Sequence, residues 1–267
     1  MRRYSLKYRN RRERTREMKS LIFAQRNFKE LIRDPLSWIF CLGFPIAMLL
    51  IMNIINESIP EEAGMTLFEL NNLAPGIEVF GLTFIMLFAC MLIAGDRKDA
   101  FLLRIFTSPM KSTDYILGYI IPLIVLSLGQ IAITMTASLI MGAITGESIN
   151  IGNMLFSMVA LIPAVMMFVG FGILFGTLFN KNAAPGLASI IISFSGILGG
   201  IWMDVETIGG ALGKLCNALP FYHAVKSARL AFSGDFTGSL IQSGIVLIWA
   251  VVVIFVSIVV FKKKMRF

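Results

Sequence analysis

The sequence predicts an all-α polytopic membrane protein with six transmembrane helices, and three observations carry that prediction. Six long apolar runs occupy residues 35–54, 74–94, 118–143, 154–179, 184–203 and 239–261. Each holds about 20 residues or more, and at roughly 1.5 Å per residue that reaches across the roughly 30 Å hydrocarbon core of a bilayer. Hydrophobic residues make up 57% of the chain, too much for a soluble domain to bury. Of 24 Lys and Arg residues, 21 fall on alternate sides of the runs from the other three, a bias that keeps the basic side cytoplasmic. Both termini are therefore expected inside. Runs this long are helices rather than barrel strands, because lipid leaves only those two ways to satisfy a backbone.

Residues 1–17 are highly charged and read as a basic cytoplasmic tail. From residue 18 to 34 the pattern changes. Leu21, Ala24, Phe28 and Leu31 or Ile32 recur at helical spacing, while Lys19, Arg26 and Arg33 lie on another face. That is an amphipathic helix lying along the inner membrane surface. Asp34–Pro35 ends it, since a residue before proline avoids helical geometry, and Pro35 suits the first turn of the next helix. The basic stretch is too long for a secretory signal, and five more apolar runs follow, so the first span is read as uncleaved.

The breaks between spans differ. The outer loops at 56–73 and 144–153 are short and acidic or neutral, with Glu57, Glu61, Glu62, Glu69 and Glu147. The inner loop at 95–117 carries a short apolar patch, Phe101, Leu102, Leu103, Ile105 and Phe106, flanked by charge and stopped at Ser108–Pro109. Such a patch wants a protein partner or the headgroup layer. Glu78 is the acid that falls well inside a span. Intramembrane acids face the protein interior or water, so it is a candidate for a permeation path. In span five, Gly196, Gly199 and Gly200 permit close helix approach, for a gate or for ordinary packing. The outer segment 204–238 keeps its apolar content but is broken by Gly209, Gly210, Gly213 and Pro220. It reads as two short re-entrant helices joined near Leu219–Pro220.

Chemistry is sparse, and this excludes several function classes. One histidine, His223, rules out a histidine-based metal centre or haem ligand pair and is read as structural. Cys41, Cys90 and Cys216 show no paired spacing. Residues 209–214 fall one residue short of a phosphate loop, with Leu215 where Ser or Thr is needed, so this chain has no ATP site of the usual kind. No metal site and no nucleic-acid function is expected, because the net charge of +8 is explained by the inside bias and by anionic inner-leaflet lipid.

Four segments resemble one family. Residues 26–45 read RNFKELIRDPLSWIFCLGFP, with Arg-Asp-Pro before span one. Residues 96–118 hold an acidic–basic–acidic run, then Ser-Pro, then Ile-Leu-Gly. Residues 193–200, followed by Asp204, pair Ser-Gly with a bulky stretch and a polar turn, and residues 219–229 read LPFYHAVKSAR. Together they resemble the ABC-2 type permease, the membrane subunit of an ATP-binding-cassette exporter, from about Met18 to the end. The family favours Glu at Asp99, Gly-Thr at Ala100–Phe101 and Lys at Tyr119.

The resemblance implies a type V exporter-like architecture with roles for named residues. The helix at 18–34, with Arg26 and Lys29, would be the connecting helix against the ATP-binding subunit. Asp96, Arg97, Asp99, Phe101, Leu102, Arg104 and Phe106 would couple to it. Glu78 and Phe80 in span two and Gly196, Gly199 and Gly200 in span five would line or gate the path. Leu219, Pro220, Tyr222 and Arg229 would belong to the extracellular helices. The resemblance also implies a second permease subunit, as a homodimer or a related heterodimer, in a bacterial plasma membrane. ATP and Mg would bind on the partner ATPase, with no cofactor held by this chain. A cation extruder of the same family, or an intramembrane enzyme, are the alternatives.

Overall fold

A computed structural model describes residues 19–60, 66–98 and 112–264. Among the described residues there are helices and no strands. Helix α1 spans residues 19–33, and Asp34 breaks the chain in extended geometry. Asp34 then caps the next helix: its Oδ1 accepts from the Leu36 amide at 3.2 Å and its Oδ2 from Ser37 Oγ at 2.9 Å. Helix α2, Pro35–Ser58, opens on Pro35 as expected and contains a π-helical segment, Ile39–Gly43. Helices α3, Leu70–Lys98, and α4, Ser112–Thr145, each run past the apolar core into polar flanks.

The fourth apolar run is not one straight helix. It divides into α5, Ile151–Ala160, and α6, Ile162–Leu178, bent by 40° at Leu161. Pro163 supplies the physical reason, since it has no N–H to give Val159 O. The neighbouring carbonyl of Ala160 is covered from the last helix by Ser243 Oγ at 2.7 Å. A broken helix tolerates lipid only when protein re-satisfies its backbone in this way.

The fifth run is shorter than the apolar stretch suggested. Helix α7, Ala184–Leu198, has 15 residues and ends at Gly199–Gly200, where Gly200 takes a positive φ of 70°. Residues 199–203 therefore leave the helix. The outer segment forms one turn, α8, Val205–Ile208, and two short helices, α9, Gly210–Ala218, and α10, Pro220–Ser233. The joint between α9 and α10 is Leu219, in extended geometry ahead of Pro220. Helix α11, Phe236–Lys264, completes the chain.

Four helices are long and apolar enough to cross a membrane: α2, α3, α4 from Asp114, and α11. The bent α5–α6 pair makes a fifth if it counts as one span. The chain is thus an all-helical, multi-pass membrane protein. By length alone α7 falls short, since 15 residues reach only about 22 Å.

Helix α3 is the axis of the bundle. The apolar part of α3 is 89% buried, against 22% for α2 and 28% for α11. It touches α2, α4, α6, α7 and α10. Glycines bring α6 close to it: a Cβ on Gly172 would lie 2.5 Å from Ala89 Cβ, and one on Gly176 would lie 2.8 Å from Cys90 O. On its other side α6 meets α11, where Ser257 Oγ donates to Gly170 O at 2.8 Å. Helix α10 buries Phe221, Tyr222, Ala224, Val225, Ala228 and Phe232. Its serine Ser227 and the α11 serine Ser239 donate to each other's carbonyls at 3.0 and 2.8 Å.

Candidate coupling junction and exit-side cluster

At the basic end of the bundle, α1 is fastened to α3 and α4 through one carboxylate. Asp96, near the end of α3, is buried. Its Oδ2 accepts from Arg26 Nη1 at 2.8 Å and from Tyr119 Oη at 2.7 Å. Arg26 also donates to Asn27 Oδ1 at 2.8 Å and pairs with Glu30 at 2.7 Å. Burial works against the charged guanidinium, but the hydrogen bond and charge of Asp96 offset it and hold Arg26 above its ordinary value. Asn27 Nδ2 donates to the Gly118 carbonyl at 3.0 Å. Phe23 stands edge-on to Tyr115 and Tyr119 at ring-centre distances of 5.8 and 5.0 Å. A Cβ on Gly118 would lie 2.3 Å from the Phe23 ring, so that glycine is what lets α1 dock. Charge-assisted hydrogen bonds of this kind stabilise by about 1.5–3 kcal/mol each, less where solvent reaches them.

The two sides of this junction bracket the inner loop. Asp96 lies just before residues 99–111 and Tyr119 just after. Asp99, Phe101, Leu102, Arg104 and Phe106 lie outside the described residues. Tyr119, where the resemblance favoured Lys, supplies the same thing a Lys would: a donor to Asp96. Arg97 points the other way. Its Nη1 donates to Gly176 O and Phe179 O at 3.1 Å each, and also to Thr177 O. It therefore caps the C-terminal carbonyls of α6. Lys29 is exposed on α1 in a groove shared with Gln25, Arg26 and Arg33.

At the opposite end, the predicted path residues meet around α3. Glu78 is 0% exposed; among the described residues its carboxylate makes no close hydrogen bond, and the buried Ser157 hydroxyl of α5 is the donor that faces it. Phe80 stands edge-on to Trp202 at 5.3 Å. Trp202 in turn lies over Gly196, where a Cβ would come within 2.8 Å of the indole nitrogen. Gly199 packs with its virtual Cβ 3.6 Å from Phe221 O, and Gly200 likewise 3.6 Å from the Tyr222 ring. Pro220 and Tyr222 are buried, Leu219 partly so, and Lys226 sits 5.4 Å from the Tyr222 ring centre. Arg229 Nε donates to Asn72 O at 3.0 Å, which ties α10 to the start of α3. The Glu78 carboxylate is thus not bonded to Lys214, Lys226 or Arg229, the basic residues of α9 and α10.

His223 is held between Gln242 Oε1 at 2.6 Å from Nδ1 and Asn217 O at 2.9 Å from Nε2. That placement joins α9, α10 and α11 and fits the structural reading. Sequence reasoning missed Trp202, Tyr119 and the pair Gly172 and Gly176. The last had a legible signal, a small-xxx-small spacing within an apolar helix.

The model of one known family, described as ABC-2 type transporter, matches residues 19–233. No curated protein matches the sequence.

Proposed function

Because this chain belongs to the ABC-2 type transporter family, we propose that it is the permease subunit of an exporter in a bacterial plasma membrane. Two six-span subunits would enclose the path, with α7 and the turn after it counted as the fifth crossing and α9–α10 as extracellular helices, as in type V exporters. The engine would be a separate ATP-binding subunit that holds ATP and Mg. The observation that carries this reading is the Arg26–Asp96–Tyr119 junction. It fixes the connecting helix to both ends of the loop at 99–111, so a push on either from a cytoplasmic ATPase reaches α3 and α4 together. Helix α3 also contacts α6, α7 and α10, so its displacement reaches the exit-side cluster. ATP must favour one state of this bundle over the other for transport to follow.

The test is a charge exchange. Arg26→Glu should uncouple ATP hydrolysis from transport in proteoliposomes holding the permease and its ATPase. Arg26→Glu with Asp96→Arg should recover a substantial part of the coupling. Full coupling in the single variant would remove the junction from the mechanism.

A second reading, extrusion of a cation, is favoured by Glu78 alone. A charged carboxylate faced only by the Ser157 hydroxyl would cost up to roughly 2.5–3.5 kcal/mol at mid-span and less toward the helix end, and a bound cation would offset that.

A further inference from the structure

A cavity of about 230 Å³ opens where α1, α2, α3 and α4 meet. Its wall is almost wholly apolar and includes Phe28 from α1, Trp38 and Cys41 from α2, Phe88 from α3, and Leu126 and Gly129 from α4. The polar residue deep in the wall, Gln130, is folded away. Its amide lies against Gly81, and its Nε2 donates to Thr134 Oγ1 at 3.1 Å. Two local irregularities shape the space. The π-helical segment Ile39–Gly43 offsets the α2 wall at Cys41 and Leu42, and such segments cluster at functional sites. Gly129 leaves the α4 wall open, because a Cβ there would meet no described atom within 4 Å.

We propose that this cavity binds one acyl chain of an anionic phospholipid. Size decides the tail. Sites for drug-sized molecules run to about 300–1,000 Å³, so this smaller, partly open cavity suits the inner part of an unbranched chain whose remainder lies in the bilayer. Along α4 the wall runs from Leu123 to Ile133, which is about 15 Å of helix, or half of a roughly 30 Å hydrocarbon core. That is the depth one leaflet's chain occupies. Charge decides the head. The α1 groove beside the cavity contains Arg26, Lys29, Glu30, Arg33 and Asp34. Glu30 is paired with Arg26, and Asp34 caps α2. The exposed Lys29 and Arg33 outweigh the charge that Asp34 keeps as a cap, so the groove is left with a net charge of about +1 at headgroup level. Trp38, whose indole Nε1 donates to Ile32 O at 2.6 Å, marks that level, as interfacial tryptophans do. The same α1 residue run carries Arg26, so an occupying chain braces the helix that the coupling junction holds. The proposal goes beyond the permease reading and needs only the membrane setting.

Photo-cross-linking in nanodiscs with diazirine-tailed lipids tests it on the full chain. A phosphatidylglycerol probe should label residues 38–42 and 123–133 about fivefold more than a phosphatidylcholine probe, as expected for a net charge of about +1 facing an anionic head. Gly129→Leu should abolish that labelling while leaving the melting temperature in place, since the added side chain enters open space. Lys29→Glu with Arg33→Glu should remove the headgroup preference and leave the chain in its cavity. Labelling spread evenly over the lipid-facing helices and indifferent to Gly129→Leu would overturn the site. Equal labelling by phosphatidylcholine in the unaltered protein would overturn the anionic assignment. The readout requires neither ATP nor a partner chain, so a failure of the exporter reading would not produce either result.

Discussion

Glu78 shows how much one side chain can say about the state of a membrane protein. Its neighbours on α3 are apolar, its own exposure is zero, and it makes no close hydrogen bond, with the Ser157 hydroxyl the one described donor recorded against it. A purely structural acid should be bonded, because an unsatisfied buried carboxyl costs far more than a paired one. Glu78→Gln keeps the shape and removes the charge. If the residue serves the path, the variant should keep its thermal stability while transport rate or substrate preference changes several-fold. If it is only a buried burden, Glu78→Leu should raise the melting temperature and leave transport as it was. Reconstituted transport and melting, measured on both variants, separate these outcomes. Cys216 answers a simpler question. It is buried under α10, and burial pushes its thiol up. It should therefore alkylate slowly with an impermeant maleimide near neutral pH, faster above pH 9, and fastest once the outer helices are unfolded, since the thiolate is the reactive form.

At the scale of elements, α6 against α3 is the contact with least freedom. Gly172 and Gly176 face Met86, Ala89, Cys90 and Ile93 with no room for a methyl group. Replacing either by Val should force the helices apart and destabilise the subunit by about 1–3 kcal/mol or more, as overpacking does. Gly186 on α7, where a Cβ meets no described atom within 4 Å, should tolerate Ala without loss. Thermal melts of Gly172→Val and Gly186→Ala in detergent check the contrast. The same comparison shows what the sequence reveals. The long apolar helices α2, α3, α4 and α11, the Asp34–Pro35 boundary and the Leu219–Pro220 joint were legible, because apolar run length and proline chemistry are local properties. The bend at Leu161 had its own marker in Pro163, hidden by an unbroken apolar run. The role of Arg97 was not legible. The carbonyls it caps lie 79 to 82 residues away in the chain. Nor could spacing show that Tyr119 and Arg26 share Asp96, for that depends on α1 docking across Gly118. The site was half-visible for the same reason: residue types were on view, and their partners were set by packing.

For the whole molecule, orientation is the property on which the functional reading turns. The basic residues gather at the end where α1 docks, and α9 and α10 cover the other end. The exporter reading has the basic end in the cytoplasm, in line with the cost of translocating many Lys and Arg residues against the potential and away from anionic lipid. The alternative orientation would put α1 outside, out of reach of any ATPase, and the coupling junction would have no input. Lys214 on α9 and Lys264 at the end of α11 are both exposed, and they sit at opposite ends of the bundle. The native cysteines are buried, so they contribute little background. In intact cells, Lys214→Cys should react with an impermeant thiol reagent, and Lys264→Cys should react only after permeabilisation. External labelling at Lys264→Cys would invert the protein and remove the exporter reading with it. The acyl-chain cavity would survive that result, since the cavity and its basic rim move together.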